Sequence, residues 1–356
     1  MHPGEPVVIV GYGARTAIGL TAPASAAAAR AGIAGFGEHP FMVDTAGNRM
    51  IVARAAYLSI DLTGQQRLAA LAGPALAEAA APLRSTGYRE PVPVFIGLSA
   101  DRPGRSSHLP RIVDRLRDEM TDCGLRVGHV RVLEAGHAAG TMAVQAAWET
   151  IRSGAVEFAL AGGVDSYLEP ETLEWLEAND QIHSAGPHNN PYGFIPGEAG
   201  GFVLLAAAAA ANDRGLDITL EVPVVAFARE TNLIKTDGIC KGDGMTTLFR
   251  LLAGDPPVTR ADHLVCDMNG EPYRADEFGF AVIRAGELFV DPLSFSTPAD
   301  CWGDVGAASG PLFLVLADAA VRKGYSPGPT VVGFTSSESG ERCGFIVRGD
   351  IQEGPH

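Results

Sequence analysis

Short apolar runs alternate with longer amphipathic or alanine-rich segments along this chain. Runs at residues 7–10, 94–96, 130–133, 158–161 and 202–205 are short and continuously apolar, as buried strands are. The same pattern recurs at 222–226, 264–267, 331–334 and 345–347. Between them, 24–31, 65–81, 111–123, 138–152, 246–252 and 310–323 carry helical patterning. The run 312–316 has a strand's composition, but its pattern continues through Ala317 and Ala320 without a turn signal, so it belongs to the last helix. Such alternation predicts an α/β protein whose sheets are covered on both faces. No internal repeat is visible. At Ala211 an apolar run gives way to the polar turn Asn212-Asp213-Arg214-Gly215. That break divides the chain into halves 1–213 and 214–349, followed by a tail, 350–356.

Composition narrows the picture. Of the 356 residues, 46% are hydrophobic and 19% charged, which suits one large domain or two fused halves with a shared core and a buried subunit interface. Forty-three glycines point to close backbone packing. A net charge of −15 argues against nucleic acid and anionic membranes as partners. The longest apolar stretch, 202–211, is too short to span a bilayer. No cleavable signal precedes the first strand, and five cysteines lie scattered without a CxxC pair, so a soluble protein of the reducing cytoplasm is expected. Disorder is expected only around 102–108 and 349–356. His183 and His188 lack acidic or cysteine partners at metal spacing. Gly11-Tyr12-Gly13 lacks the third glycine of a dinucleotide fingerprint and reads as a tight turn. Neither a metal nor a cofactor is expected.

Four stretches carry a resemblance. VVIVGYGARTAIGLTAPASAAAARAG, LEAGHAAGTMAVQAAWETIRSGAVEFALAGGVDSY, NNPYGFIPGEAGGFVLLA and GDVGAASGPLFLVLA follow one another in this order. Together they resemble the β-ketoacyl-acyl-carrier-protein synthases of the thiolase superfamily. The resemblance implies a thiolase fold, layered αβαβα, with two pseudo-duplicated halves. It further implies that the helices beginning near Ala138 and Ala307 are buried between the sheets, and that the strand around 130–133 lies at a subunit interface.

The resemblance also implies where the chemistry would sit, and there the residues differ. A family cysteine begins the buried helix, where free backbone N–H groups stabilise a thiolate and an oxyanion; here that position is His137. The two family histidines correspond to Asn269 and Asp304, and the family lysine to Ala299. The chain is shorter than usual between Ile96 and Val130, and the closing glycine-rich loop has become Ser336-Ser337-Glu338-Ser339-Gly340. Two readings of His137, Asn269 and Asp304 stand. At a helix start a neutral His137 could serve as general base for an acyltransferase or decarboxylase acting on an acyl-CoA or acyl-carrier-protein substrate. Alternatively the three fill a disused pocket and bond to one another, in an accessory, partner or scaffold subunit of acyl or polyketide metabolism that pairs as a homodimer or with a synthase-like subunit. Cys266 and Cys301, each three residues before one of these positions, are either displaced thiols or small buried hydrophobes. Glu198 is expected to fix a turn or a subunit contact.

Overall fold

The computed structural model describes residues 5–105, 109–122, 124–236, 238–254 and 260–349. Twelve strands are found among them: β1 Val7–Arg15, β2 Gly37–Val43, β3 Arg49–Val52, β4 Val92–Leu98, β5 Val127–Glu134, β6 Phe158–Ser166, β7 Glu198–Ala207, β8 Leu220–Arg229, β9 His263–Cys266, β10 Phe295–Ser296, β11 Thr330–Ser336 and β12 Glu341–Arg348. The helices are α1 Ala22–Arg30, α2 Gly64–Ser85, α3 Leu109–Asp122, α4 Ala139–Arg152, α5 Pro170–Ala178, α6 Ala208–Asp213, α7 Asp243–Ala253, α8 Pro272–Ala285, α9 Ala299–Trp302 and α10 Ser309–Arg322.

Ten strands follow one another in the order β10-β9-β11-β12-β8-β1-β7-β6-β4-β5. The β1–β8 junction is thin, with only Val8 opposite Glu221 and Ile9 opposite Leu220. It joins two five-stranded blades of identical wiring. In the first, β7 runs antiparallel to both β1 and β6, while β4 runs parallel to β6 and β5. In the second, β12 is antiparallel to β8 and β11, and β9 is parallel to β11 and β10. The two halves therefore repeat one plan, and β5 and β10 are the free edges.

Three helical layers complete the stack. α2 and α3 cover the outer face of the first blade and α7 and α8 that of the second. Between the blades lie α4 and α10, which contribute Val144, Ala147, Phe313, Leu314 and Ala317 to a core shared with strands of both halves. This is the αβαβα thiolase fold with its two central helices buried. Small residues make the sandwich possible. A Cβ at Gly140 would strike the Ala307 carbonyl and the Pro311 ring, and one at Gly163 would strike the same carbonyl.

Two expectations need correcting. Gly11-Tyr12-Gly13 is not a turn, because β1 continues through it to Arg15. A Cβ at Gly11 or Gly13 would collide with the carbonyl of Ala79 or Ala75, so these glycines let α2 lie close on the strand. Residues 102–105 are not loose: Arg102 donates to Asp165 Oδ1 and to the Ser166 carbonyl, each at 2.6 Å. The remainder of that segment, 106–108, and the tail 350–356 lie outside the described residues, as does Cys123. The hairpin β2–β3 and helices α5 and α8 are additional elements. The hairpin has a largely exposed first strand, and α5 and α8 begin at Pro170 and Pro272 with little apolar run to mark them. No described helix is long and apolar enough to cross a membrane.

Candidate active-site region

Two matching turns build the site. A single 3₁₀ turn, Gly136–Ala138, leads into α4, and another, Gly306–Ala308, leads into α10. Gly136 and Gly306 have φ of 67° and 50°, a conformation that favours glycine. Asp304 is pinned just before the second turn by its own backbone, its N–H donating to the Ile195 carbonyl and its carbonyl accepting from Gly197, both at 2.8 Å. Asn269 follows β9. The elbow and the two C-terminal loops thus meet in one place.

His137, Asn269 and Asp304 do converge there, in direct contact. Both oxygens of Asp304 lie at hydrogen-bond distance from His137 Nε2, Oδ1 at 2.9 Å and Oδ2 at 2.8 Å. Asp304 Oδ2 also accepts from Asn269 Nδ2 at 2.7 Å, and Oδ1 from the Gly306 amide at 2.9 Å. All of this is buried for His137 and Asp304.

Further groups that the sequence reading passed over complete the network. Arg274 Nη2 stands 3.3 Å from His137 Nε2, and the Tyr167 hydroxyl 3.4 Å from it. Arg274 is fixed by Asp267 Oδ2 at 3.0 Å and by the Ser336 carbonyl at 3.1 Å. Glu271 lies 3.5 Å from Arg274 Nε and 2.9 Å from Lys235 Nζ, and it accepts from Tyr273 at 2.6 Å. Arg102 stacks 4.0 Å above the Tyr167 ring. A signal for Arg274 was present in the sequence. The buried positions Phe278, Ala281 and Ala285 of α8 define a stripe that, extended back one turn, takes in Arg274 and Glu277.

Electrostatics decide the protonation. Burial alone would draw the His137 imidazole down, but the Asp304 carboxylate and its hydrogen bond outweigh burial and the opposing Arg274, and the pKa ends above the ordinary value. Burial works against the Asp304 carboxylate as well, yet His137, Arg274 and the Gly306 amide hold it below the usual carboxylate range. Both shifts favour the imidazolium–carboxylate form of the pair. The Asp304 carboxylate at 2.8 Å works against the neutral, proton-accepting His137 expected at a helix start, because it opposes the helix-end field.

The described residues cap the helix start and enclose a small void beside Asp304. The Ala138 amide at the helix start donates to Ser337 Oγ at 2.9 Å, and Ser337 in turn donates to the Ala135 carbonyl. One N–H that could have served an oxyanion is thus capped from within. The void beside Asp304, bounded in part by Cys266, Asn269 and Trp302, has a volume of about 10 Å³, room for one water and not for an acyl chain.

Both cysteines behave as buried small residues. Cys266 lines that void, but burial pushes its thiol far above the usual range, and Sγ lies 3.9 Å from the Ser296 carbonyl. Cys301 faces the Ala29 carbonyl at 3.7 Å, its thiol also raised by burial. Glu198, expected to fix a turn or a subunit contact, has its partners within the chain, at the turn that begins at Ala55. It is fully buried at the start of β7, grips Arg67 with both oxygens at 2.5 and 2.6 Å, and accepts from the Ala55 amide and Ser166 Oγ. It thereby ties the loop before α2 to the core. Among the described residues, Glu230, Cys240 and Glu277 come close enough together to hold a metal. Glu230 already accepts from the Thr231, Asn232 and Gly244 amides, and Glu277 from Arg342, so the cluster reads as a loop anchor.

The beta-ketoacyl synthase N-terminal domain family matches residues 123–211, the stretch that contains His137, α4 and β6. No curated protein matches the chain. Among solved structures, the ishigamide ketosynthase/chain length factor superposes with a TM-score of 0.79 at 19% identity, covering 97% of this chain and 99% of that one. The AntDE:AntF type II polyketide synthase structure, an acyl-carrier protein in complex with its ketosynthase, gives 0.81 at 17% identity, with coverage of 97% and 99%. The ketosynthase from module 6 of the bacillaene synthase of Bacillus subtilis 168 gives 0.74 at 12% identity, covering 97% of this chain and 72% of that one. At these identities the likeness establishes the fold.

Proposed function

Starting from a ketosynthase-like protein of the thiolase fold, we propose that this chain is a non-condensing partner subunit in acyl or polyketide metabolism. The observation that carries the reading is the buried His137–Asp304 contact, at the position from which a ketosynthase nucleophile would act, which we read as an ion pair. An imidazolium cannot accept a proton, and it forms no thioester. With Ser337 capping the helix start and only a water-sized void beside Asp304, the site is built as a polar plug between two halves. The same pair disfavours an acyltransferase or decarboxylase with His137 as base.

The partner reading draws on two further features. The ishigamide structure is of a ketosynthase/chain length factor, and the AntDE:AntF structure holds an acyl-carrier protein with its ketosynthase. In this chain β5, which includes Val130 and Leu133, is a free sheet edge paired on one side only, by β4. A free edge of this kind offers a pairing surface to a synthase-like subunit or to a second copy of the chain.

The test is intact-protein mass after incubation with malonyl- and acyl-carrier-protein substrates, combined with light scattering alone and with a ketosynthase subunit. The expected result is no adduct and no elongated product from the chain by itself, together with a stable two-subunit complex. Acylation at residue 137, or elongation by the isolated chain, would overturn the proposal.

A further inference from the structure

Beyond the His137 region the structure holds a much larger cavity, a cleft of about 680 Å³ between α1, α2, β1 and the C-terminal turns of α10. That volume is within the range of small-molecule sites, roughly 300–1,000 Å³. The two places are separate: nine residues of helix part Asp318 from Ser309, about 14 Å along the axis at 1.5 Å per residue.

Apolar side chains make up much of the wall, among them Val10, Ala26, Val315 and Ala319. The charged groups on the lining balance, with Glu78, Asp217 and Asp318 against Arg30, Arg322 and Lys323. Glu78 is also held from outside the cleft by Arg15 at 2.6 Å. Such a lining gives an ionic ligand no net field to offset its lost hydration, so it suits a neutral one.

One end of the cleft is polar and short of donors. Tyr12, Thr219 and Asp318 meet there. The Thr219 hydroxyl donates to the Ile9 carbonyl at 3.1 Å, so in the 2.6 Å bond between Tyr12 and Thr219 the tyrosine is the donor. Both hydroxyl hydrogens are thereby committed. Asp318 Oδ1 is buried beside them with no hydrogen-bond partner among the described residues. Arg322 Nη1, at 3.9 Å from it, is beyond hydrogen-bond reach and is shared with Asp217. Burial pushes the Asp318 carboxyl up to about 6, although Arg322 and the neighbouring hydroxyls draw it down. A buried carboxylate oxygen left in this state gains most from a donor brought by a ligand.

We propose that this cleft binds a neutral apolar molecule bearing a hydroxyl group, a lipid-like alcohol, with its body along the alanine-lined wall and its O–H donated to the Asp318 carboxylate. A hydroxyl supplies the missing hydrogen without bringing a charge. An ammonium would also donate, but it would face the Arg322 guanidinium beside the same oxygen. The inference is independent of whether the chain is a partner subunit, because it rests on a different cavity.

Titration calorimetry on the full chain at pH 7.5 tests it, with 1-octanol, octyl methyl ether, octanoate and octylamine as probes. The expected result is saturable one-to-one binding of octanol. The ether keeps the apolar body and lacks the donor, so it should bind about tenfold more weakly or worse, as the loss of a hydrogen bond to a charged group implies. Octanoate and octylamine should be weaker by a similar factor. In an Asp318→Ala variant, with far-UV circular dichroism unchanged, octanol should lose its advantage over the ether. An Ala319→Trp variant, which fills the cleft, should abolish octanol binding. Absence of saturable octanol binding, binding of any other probe as tight as octanol's, an advantage over the ether retained by the folded Asp318→Ala variant, or octanol binding undiminished by Ala319→Trp would each overturn the proposal.

Discussion

His137 and Asp304, 167 positions apart in the chain, meet with Nε2 2.8 Å from Oδ2 inside a buried network. His137 lies in the turn that opens α4 and Asp304 just before the matching turn that opens α10, so their contact joins the halves where the two helices begin. A buried pair of this kind adds little over an apolar pair of similar shape, but removing one partner leaves the other charged and unpaired.

Asp304→Asn should therefore be strongly destabilising. It leaves His137 facing Arg274 with no carboxylate between them, and a loss of about 3 kcal/mol is expected from the cost of breaking such pairs. Urea unfolding measures it. A change of less than about 1 kcal/mol would mean that the pair is not formed as described.

Stability should also depend on pH in a defined way. The folded pKa of His137 is raised, so its contribution is complete below the unfolded value, about 6.5, and is lost as pH rises through the folded value. The folded pKa of Asp304 is depressed, so its contribution is present above about 3.9 and is lost as pH falls through the folded value. The advantage of the wild type over His137→Gln should therefore be greatest near pH 5–6 and shrink towards pH 9. Urea midpoints of the two proteins across that range provide the comparison, and an advantage that grows with pH would contradict the assignment.

Placing a thiol at the elbow should not restore a reactive nucleophile. In His137→Cys the helix start still favours a thiolate, but Asp304, Asp267 and Glu271 surround the position against Arg274 and Lys235, leaving an excess of negative charge. Iodoacetamide alkylation at pH 7 should be slower than for a free cysteine. Neutralising the carboxylate in a His137→Cys, Asp304→Asn double variant should speed it at least tenfold. Equal rates for the two variants would show that Asp304 does not control the position.

The central layer makes a separate prediction. Gly140→Ala would drive a methyl group into the Ala307 carbonyl and the Pro311 ring, so α4 and α10 would have to move apart. A cost of about 1–3 kcal/mol is expected, as for other overpacked cores, measured by thermal or urea unfolding. A neutral result would mean that the two helices are not in contact there.

Much of this architecture was legible because burial on both faces of a strand leaves a strong mark. β6 and β7 are buried almost throughout, and apolar runs identify them. β2 alternates only weakly and is largely exposed, so nothing in its composition distinguishes it from a loop. The three site positions were readable because each follows a recognisable strand or glycine turn. The charges around His137 were not, because Asp304 and Arg274 arrive from 167 and 137 residues away. Gly11 and Gly13 were misread for a similar reason. A glycine that admits a neighbouring helix looks, in sequence, the same as one that turns the chain.

The charge state of His137 tests the central claim most directly. Long-range ¹H–¹⁵N spectra of the imidazole, assigned by comparison with His137→Gln, report whether each ring nitrogen carries a proton. At pH 5.5 both nitrogens should be protonated, and the transition to a neutral ring should lie above the ordinary histidine value of about 6.5. A neutral ring at that pH, with one bare nitrogen and a transition below about 6.5, would contradict the ion pair and return His137 to candidacy as a general base.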